Sequence, residues 1–175
     1  MKTQSSYLQE TTGCSRTTRP GMGKQNVYEH SVGVPLMIKA AAQHTGKKTA
    51  DLCYLIDVFP TLCDMLQLPV PQSVDGISLL SSLDGKEPVR DYLYYSYMDN
   101  QRGISDGTWK LIEYHVNGKR TTQLFNLKND PWERNDLSGQ KKYEKTIQRL
   151  AKRWLKSRRG QMIHLFSGII SVINY

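Results

Sequence analysis

Residues 21–39 read GMGKQNVYEHSVGVPLMIK, and Lys24 is the residue there with chemistry to offer. It sits in a glycine-rich turn, ahead of Tyr28, Glu29 and His30 and of an apolar run opened by Val34-Pro35. A lysine so placed is either an ordinary surface cation or one aimed at an anion, and residue types alone leave both open. The rest of the chain carries little else of this kind. It has no GxSxG, no HExxH and no Walker loop. His30, His44, His115 and His164 are scattered, and Cys14, Cys53 and Cys63 match no metal or redox spacing. Cys53 and Cys63 lie in apolar stretches and read as small buried hydrophobes. Many carboxylates between 51 and 99 read as caps and turn residues, among them Asp57, Asp75 and Asp84.

Composition narrows the class. With 175 residues and 38% hydrophobic side chains, the chain fits one ordinary domain or a piece of a larger one, and neither a disordered nor a membrane class. The net charge of +8 is concentrated in KKYEKTIQRLAKRWLKSRR, residues 141–159. A basic run can bind nucleic acid or acidic lipid, but this one has the apolar spacing of a helix with a solvated face. Its two aromatics belong to the apolar stripe and leave none for stacking on bases, so no nucleic-acid signal is clear. The opening MKTQSSYLQETTGCSRTTRP shows no apolar stretch of signal-peptide type. The closing MIHLFSGIISVINY, about 14 residues, is too short to span a bilayer as a helix.

The elements that must position Lys24 can be read in outline. Val34–Lys39 has the length and composition of a strand, with Pro35 at its start. Ala40–Ala50 reads as a loop. Leu52–Ile56 is a buried strand or a helix lead-in. Asp57 is an N-cap candidate, Pro60 falls in the first turn, and Phe59, Leu62, Cys63 and Leu66 follow at helical spacing, ending before Pro69. Asp75-Gly76 signals a turn, with a short apolar segment after it. Three strands are expected, at 91–97, 108–116 and 121–127. Asp106-Gly107 precedes the second, and Asn117-Gly118 forms the hairpin turn before the third. Tyr143, Ile147, Leu150, Trp154 and Leu155 then make one stripe on a basic helix, which should cover a face of the small antiparallel sheet.

At this resolution the chain resembles the type I sulfatases. GKQNVYEHSVGVPLMI is similar to their G-K-x-x-x-Y-E segment and V-R-V-P-L strand. YLIDVFPTLCDMLQLPVPQSVDGISLLSSLDG is similar to their D-x-x-P-T-L helix, proline loop and D-G-x-S-L-L turn. RDYLYYSYMDNQRGISDGTWKLIEY and TTQLFNLKNDPWERNDLS look like the W-K strand and the L-[YF]-[DN]-L-x-x-D-P-x-E-x-x-N-L segment of the small C-terminal subdomain. The resemblance runs from about Gly21 to about Trp154. It implies an α/β fold of the alkaline phosphatase superfamily: the C-terminal part of a sulfatase-like α/β sandwich, plus a small four-stranded antiparallel sheet packed on a C-terminal helix. The division it implies is a polar leader over 1–20, the end of the catalytic α/β domain over 21–88, the antiparallel-sheet subdomain with its helix over 89–158, and an apolar tail of unknown role over 159–175.

The resemblance also implies chemistry. The family hydrolyses sulfate esters with a formylglycine made from C/S-x-P-x-R and with a calcium ion held by Asp and Asn. Lys24 aligns with its sulfate-binding lysine. His30, next to that segment, and Asn100, Gln101 and Arg102, after the first meander strand, become candidates for approaching a substrate. The expected ligand is a sulfated small molecule or glycan, and family members are often periplasmic, secreted or lysosomal. The departures are equally plain. Cys14 is followed by Ser-Arg-Thr, no D-[HN]-G precedes Gly21, and Gly33 stands where the family usually has arginine. The chain is therefore expected to lack the formylglycine and the calcium ligands, to be inactive alone, and to need the missing N-terminal part. Two alternatives stand beside this: a non-catalytic module that binds an anion or glycan, and a phosphonate or phosphate monoester hydrolase fragment of the same superfamily.

Overall fold

The structure, a computed structural model, describes residues 25–38 and 48–156. Lys24, Lys39, Cys14, His44, His164, the polar leader and the apolar tail lie outside the described residues. Two compact units divide at 93 and 94, and residues 25–33 belong with the second. No helix among the described residues is long and apolar enough to cross a membrane.

The first unit is built around one buried carboxylate. Leu55–Asp57 forms a single 3-10 turn that leads into helix α2, Val58–Met65. Asp57 stands at the N-cap position, where the sequence places it, but its side chain does not cap the helix as expected. Its fully buried side chain turns back instead, accepting the Tyr54 N–H at 2.8 Å and the Ile77 N–H at 2.8 Å and pairing with Arg90. Thr61 continues the network, donating to the Asp57 carbonyl and accepting the Leu79 N–H at 2.9 Å. These bonds draw the 75–79 segment against α2. A Cβ on Gly76 would stand 2.2 Å from the Ile56 carbonyl oxygen, so the glycine serves a close backbone approach. The expected turn at Asp75-Gly76 lies earlier, where the Val74 N–H bonds the Pro71 carbonyl at 3.1 Å. Leu80–Leu83 then forms the short helix α3.

Helix α2 ends as its prolines require. Gln67 takes the left-handed conformation (φ 55°), and the Leu68 N–H reaches the Cys63 carbonyl at 2.9 Å, closing the last turn before Pro69. Pro60, Thr61 and Cys63 are buried, whereas Phe59 and Leu66 are exposed. The strand expected over Val34–Lys39 has no ladder in its described part, residues 34–38; Val34 and Met37 are exposed. A strand needs a neighbour for its backbone groups, and no described segment supplies one.

The second unit is a four-stranded sheet in the order β1 (Leu93–Tyr97), β2 (Gln101–Ser105), β3 (Trp109–Val116), β4 (Lys119–Asn126). β2–β3 and β3–β4 are antiparallel. The fourth strand was implied by the family resemblance but not by the residue pattern, which gave only the three strands at 91–97, 108–116 and 121–127. At the β3–β4 turn, Asn117 and Gly118 both have positive φ (51° and 72°), as a type I′ hairpin demands. Between β2 and β3, Asp106 Oδ1 accepts the Thr108 and Trp109 N–H groups at 2.9 and 2.7 Å, and Arg149 pairs with Oδ2 at 2.7 Å. Burial pushes the Asp106 carboxyl up, but these donors together hold it below its usual range.

Strand alternation assigns the two faces. Ile104, Leu111 and Leu124 are cross-strand neighbours on the face of Trp109, whose ring lies 5.2 Å from Tyr143. Helix α4, Glu144–Lys156, packs on β2 and β3 there, with Leu150 and Ala151 fully buried, as its stripe predicts. The opposite face carries Ile112 and Phe125, which form a core with Val27 and Tyr28.

Candidate functional site

The segment that follows Lys24 is bound along its length to the small sheet. Gln101 Nε2 donates to the Gln25 carbonyl at 3.3 Å. Asn26, buried, accepts the Tyr28 N–H through Oδ1 at 3.1 Å, and its amide nitrogen lies 3.3 Å from His30 Nε2. Tyr28 is 2% exposed, meets Phe125 edge-on at 6.0 Å and stacks on His30 at 5.9 Å. Its hydroxyl donates to Gln123 Oε1 at 2.6 Å, which satisfies the one polar atom that burial would otherwise orphan. Glu29–Val32 makes a single helical turn, α1, closed by the Gly33 N–H on the Glu29 carbonyl at 2.7 Å. A Cβ at position 33 would come 2.8 Å from that carbonyl oxygen, so this turn accommodates glycine where the family pattern has arginine.

Below α1 lies an ion triad assembled from three distant parts of the chain. Lys110 of β3 is fully buried. Its Nζ lies 2.8 Å from Glu29 Oε1 and 3.2 Å from Glu133 Oε1, and 4.6 Å from the centre of the Tyr95 ring. Glu133 Oε2 also accepts the Glu29 backbone N–H at 2.6 Å. Burial pushes the Glu133 carboxyl up, outweighing the pull of Lys110 and the Glu29 N–H, and the Glu29 carboxylate adds a smaller push the same way. Glu133 is presented by a loop that Asp130 and Asp136 tie down, accepting the Asn135 N–H at 2.7 Å and the Leu124 N–H at 3.0 Å. The Y-E, W-K and D-P-x-E motifs, separate in the sequence, are one constellation in space.

The sequence candidates do not all converge. His30 and Gln101 are on the face that holds the 25–33 segment, and Gln101 Oε1 is buried with no hydrogen-bond partner. Arg102, one residue along β2, points to the opposite face, across from Glu113. It is buried, donating to the Met98 carbonyl, to the Gln101 carbonyl at 2.8 Å, and pairing with Asp99 at 3.6 Å. Lys110 and Glu133 were not singled out from sequence. The signal for Lys110 was an alternation that sets a lysine on the apolar face of Ile112. Among the described residues no group of three or more His, Cys, Asp or Glu side chains could hold a metal ion.

A docked Y-E turn on a four-stranded meander backed by one helix defines the C-terminal portion of a sulfatase of the alkaline phosphatase superfamily. The chain belongs to the family described as N-sulphoglucosamine sulphohydrolase, C-terminal, whose model matches residues 22–160. It is similar to the N-acetylgalactosamine-6-O-sulfatase of Bacteroides thetaiotaomicron, 29% identical over 133 residues, covering 67% of this chain and 26% of that protein. It is also similar to human arylsulfatase K, 26% identical over 121 residues, 62% of this chain and 23% of that protein. A solved structure described as a complex with its substrate D-glucosamine-2-N,6-O-disulfate matches 58% of this chain and 23% of its own, with 26% identity and a TM-score of 0.49. The chain thus spans about a quarter of the length of the curated relatives it matches.

Proposed function

We propose that this chain supplies the C-terminal share of a sulfate-ester site, with Lys24 as the cation for sulfate oxygens and a sulfated glycan as the substrate class. The observation that carries this is the fixing of residues 25–29, immediately after Lys24, by Gln101, Gln123, Lys110 and Glu133. A lysine is a compact, strongly hydrated point charge, suited to negative charge gathering on a leaving oxygen, provided its backbone is held still. His30 and Gln101 lie on the same face and are assigned to the sugar side of that site. Arg102, on the other face and engaged with backbone carbonyls, has no part in it. The names of the relatives, which refer to sulfated aminosugars and aryl sulfates, support the substrate class.

Formylglycine and calcium would come from residues other than these 175, which contain no C/S-x-P-x-R. A lone lysine neither generates a nucleophile nor holds a divalent ion. The purified chain with added calcium should therefore not hydrolyse an aryl sulfate, while inorganic sulfate should slow the acylation of Lys24 in a peptide-resolved labelling assay. Turnover abolished by Lys24→Ala would refute the first statement. Labelling of Lys24 indifferent to sulfate would refute the second.

A further inference from the structure

We infer that Lys110 is a positioning residue for the Lys24 segment, acting through Glu29; this rests on the reading of Lys24 as a sulfate ligand. For packing alone, an apolar side chain under the Tyr95 ring would serve as well as a fully buried ammonium. What the ammonium adds is direction. It holds the Glu29 carboxylate, while its second partner Glu133 holds the Glu29 backbone N–H, so one residue is gripped at side chain and main chain together. Two grips on one residue fix the orientation of the chain as well as its location. Tyr28 on Gln123 and the Gln25 carbonyl on Gln101 extend the grip back to the residue next to Lys24. The three charged partners come from α1, β3 and the loop after β4, where Glu133 (φ 52°) closes a turn with its N–H on the Asp130 carbonyl at 3.1 Å.

The test uses the 175-residue chain and two readouts: amide hydrogen exchange and sulfate protection of Lys24 from acylation. Glu29→Ala removes the anchor of the segment and leaves the Lys110–Glu133 pair compensated. Exchange at residues 29–33 should rise about 10- to 100-fold, the opening expected on losing a charge-assisted hydrogen bond, with Leu111 and Leu124 unchanged. Sulfate protection of Lys24 should fall with it. Lys110→Met should do the same and Lys110→Arg should restore part of both effects; if Lys110→Met fails to fold, Glu29→Ala decides alone. Unchanged exchange at 29–33 in Glu29→Ala would overturn the inference. So would sulfate protection that survives local opening, or exchange that rises equally at Leu111 and Leu124. If wild-type Lys24 shows no sulfate protection, the sulfate reading falls, and the exchange arm still judges whether Lys110 holds the segment.

Discussion

Replacing Glu113 by glutamine should make the sheet unit more stable at alkaline pH and leave it little changed in acid. Glu113 lies in the centre of β3 on the face of α4, 4% exposed, with Arg120 Nε at 2.8 Å. Burial pushes its carboxyl from 4.5 up to about 7, and Arg120 recovers only part of the loss. A carboxyl that is harder to ionise folded than unfolded favours the fold most below the unfolded value. That advantage is lost as pH rises from 4.5 through about 7, and is gone above it. At about 1.4 kcal/mol per pH unit, the interval amounts to about 3 kcal/mol. Glutamine mimics the protonated form at every pH. The Arg120 ion pair that glutamine gives up is already contained in that interval, because Arg120 is what keeps the carboxyl from rising further. The gain at about pH 8.5 is then roughly 3 kcal/mol, or about 6–12 °C in Tm for a chain of this size. Asp106, held low, and Glu133, held high, titrate in both proteins, so the difference isolates Glu113. All three tryptophans, Trp109, Trp132 and Trp154, lie in this unit, so fluorescence-monitored urea melts read it directly. An equal loss of stability in Glu113→Gln at about pH 5 and pH 8.5 would refute the reasoning.

Three further substitutions probe the two units separately. Gly76→Ala would drive a methyl to 2.2 Å from the Ile56 carbonyl oxygen. It should loosen the α2 unit by about 3 kcal/mol, read as a roughly 100-fold faster labelling of the buried Cys63 thiol, with half-buried Cys53 as the internal comparison; unchanged Cys63 labelling would count against the contact. Leu150→Ala removes a fully buried side chain of α4 and should cost about 2–5 kcal/mol in the urea melt. The exposed Lys152→Ala should stay within about 0.5 kcal/mol, and equal effects would mean that α4 does not cover the sheet.

What the sequence disclosed was local. The Asn117-Gly118 turn, the α4 stripe and the Pro60 position in α2 each depend on a few neighbouring residues, and each is found where expected. Strand β2 escaped notice because all five residues of QRGIS are buried. A strand covered on both faces has no period-2 alternation, and Gln101 finds its partner at Gln25, 76 residues away in sequence. Val34–Ile38 shows the converse: an apolar run of strand length that lacks a partner among the described residues. Asp57 and Gly76 were recognised as special but given local jobs, a cap and a turn. Their actual jobs join segments about twenty residues apart, which no window of sequence displays. The site divides the same way. Lys24 and His30 stood out through the family motif, whereas Lys110 and Glu133 matter only once the chain has brought them under Glu29.

The ion triad also sets an order of events during synthesis. Glu29 and Glu133 are 104 residues apart, so at roughly 5–20 residues per second the ribosome makes the first about 5–20 s before the second. During that interval Tyr28 and Glu29 have no finished surface to dock on, because β3 and β4, which carry Lys110 and Gln123, are themselves still to come. The segment of Tyr28 and Glu29 is among the early parts of this chain to be made and among the last that can be set in place.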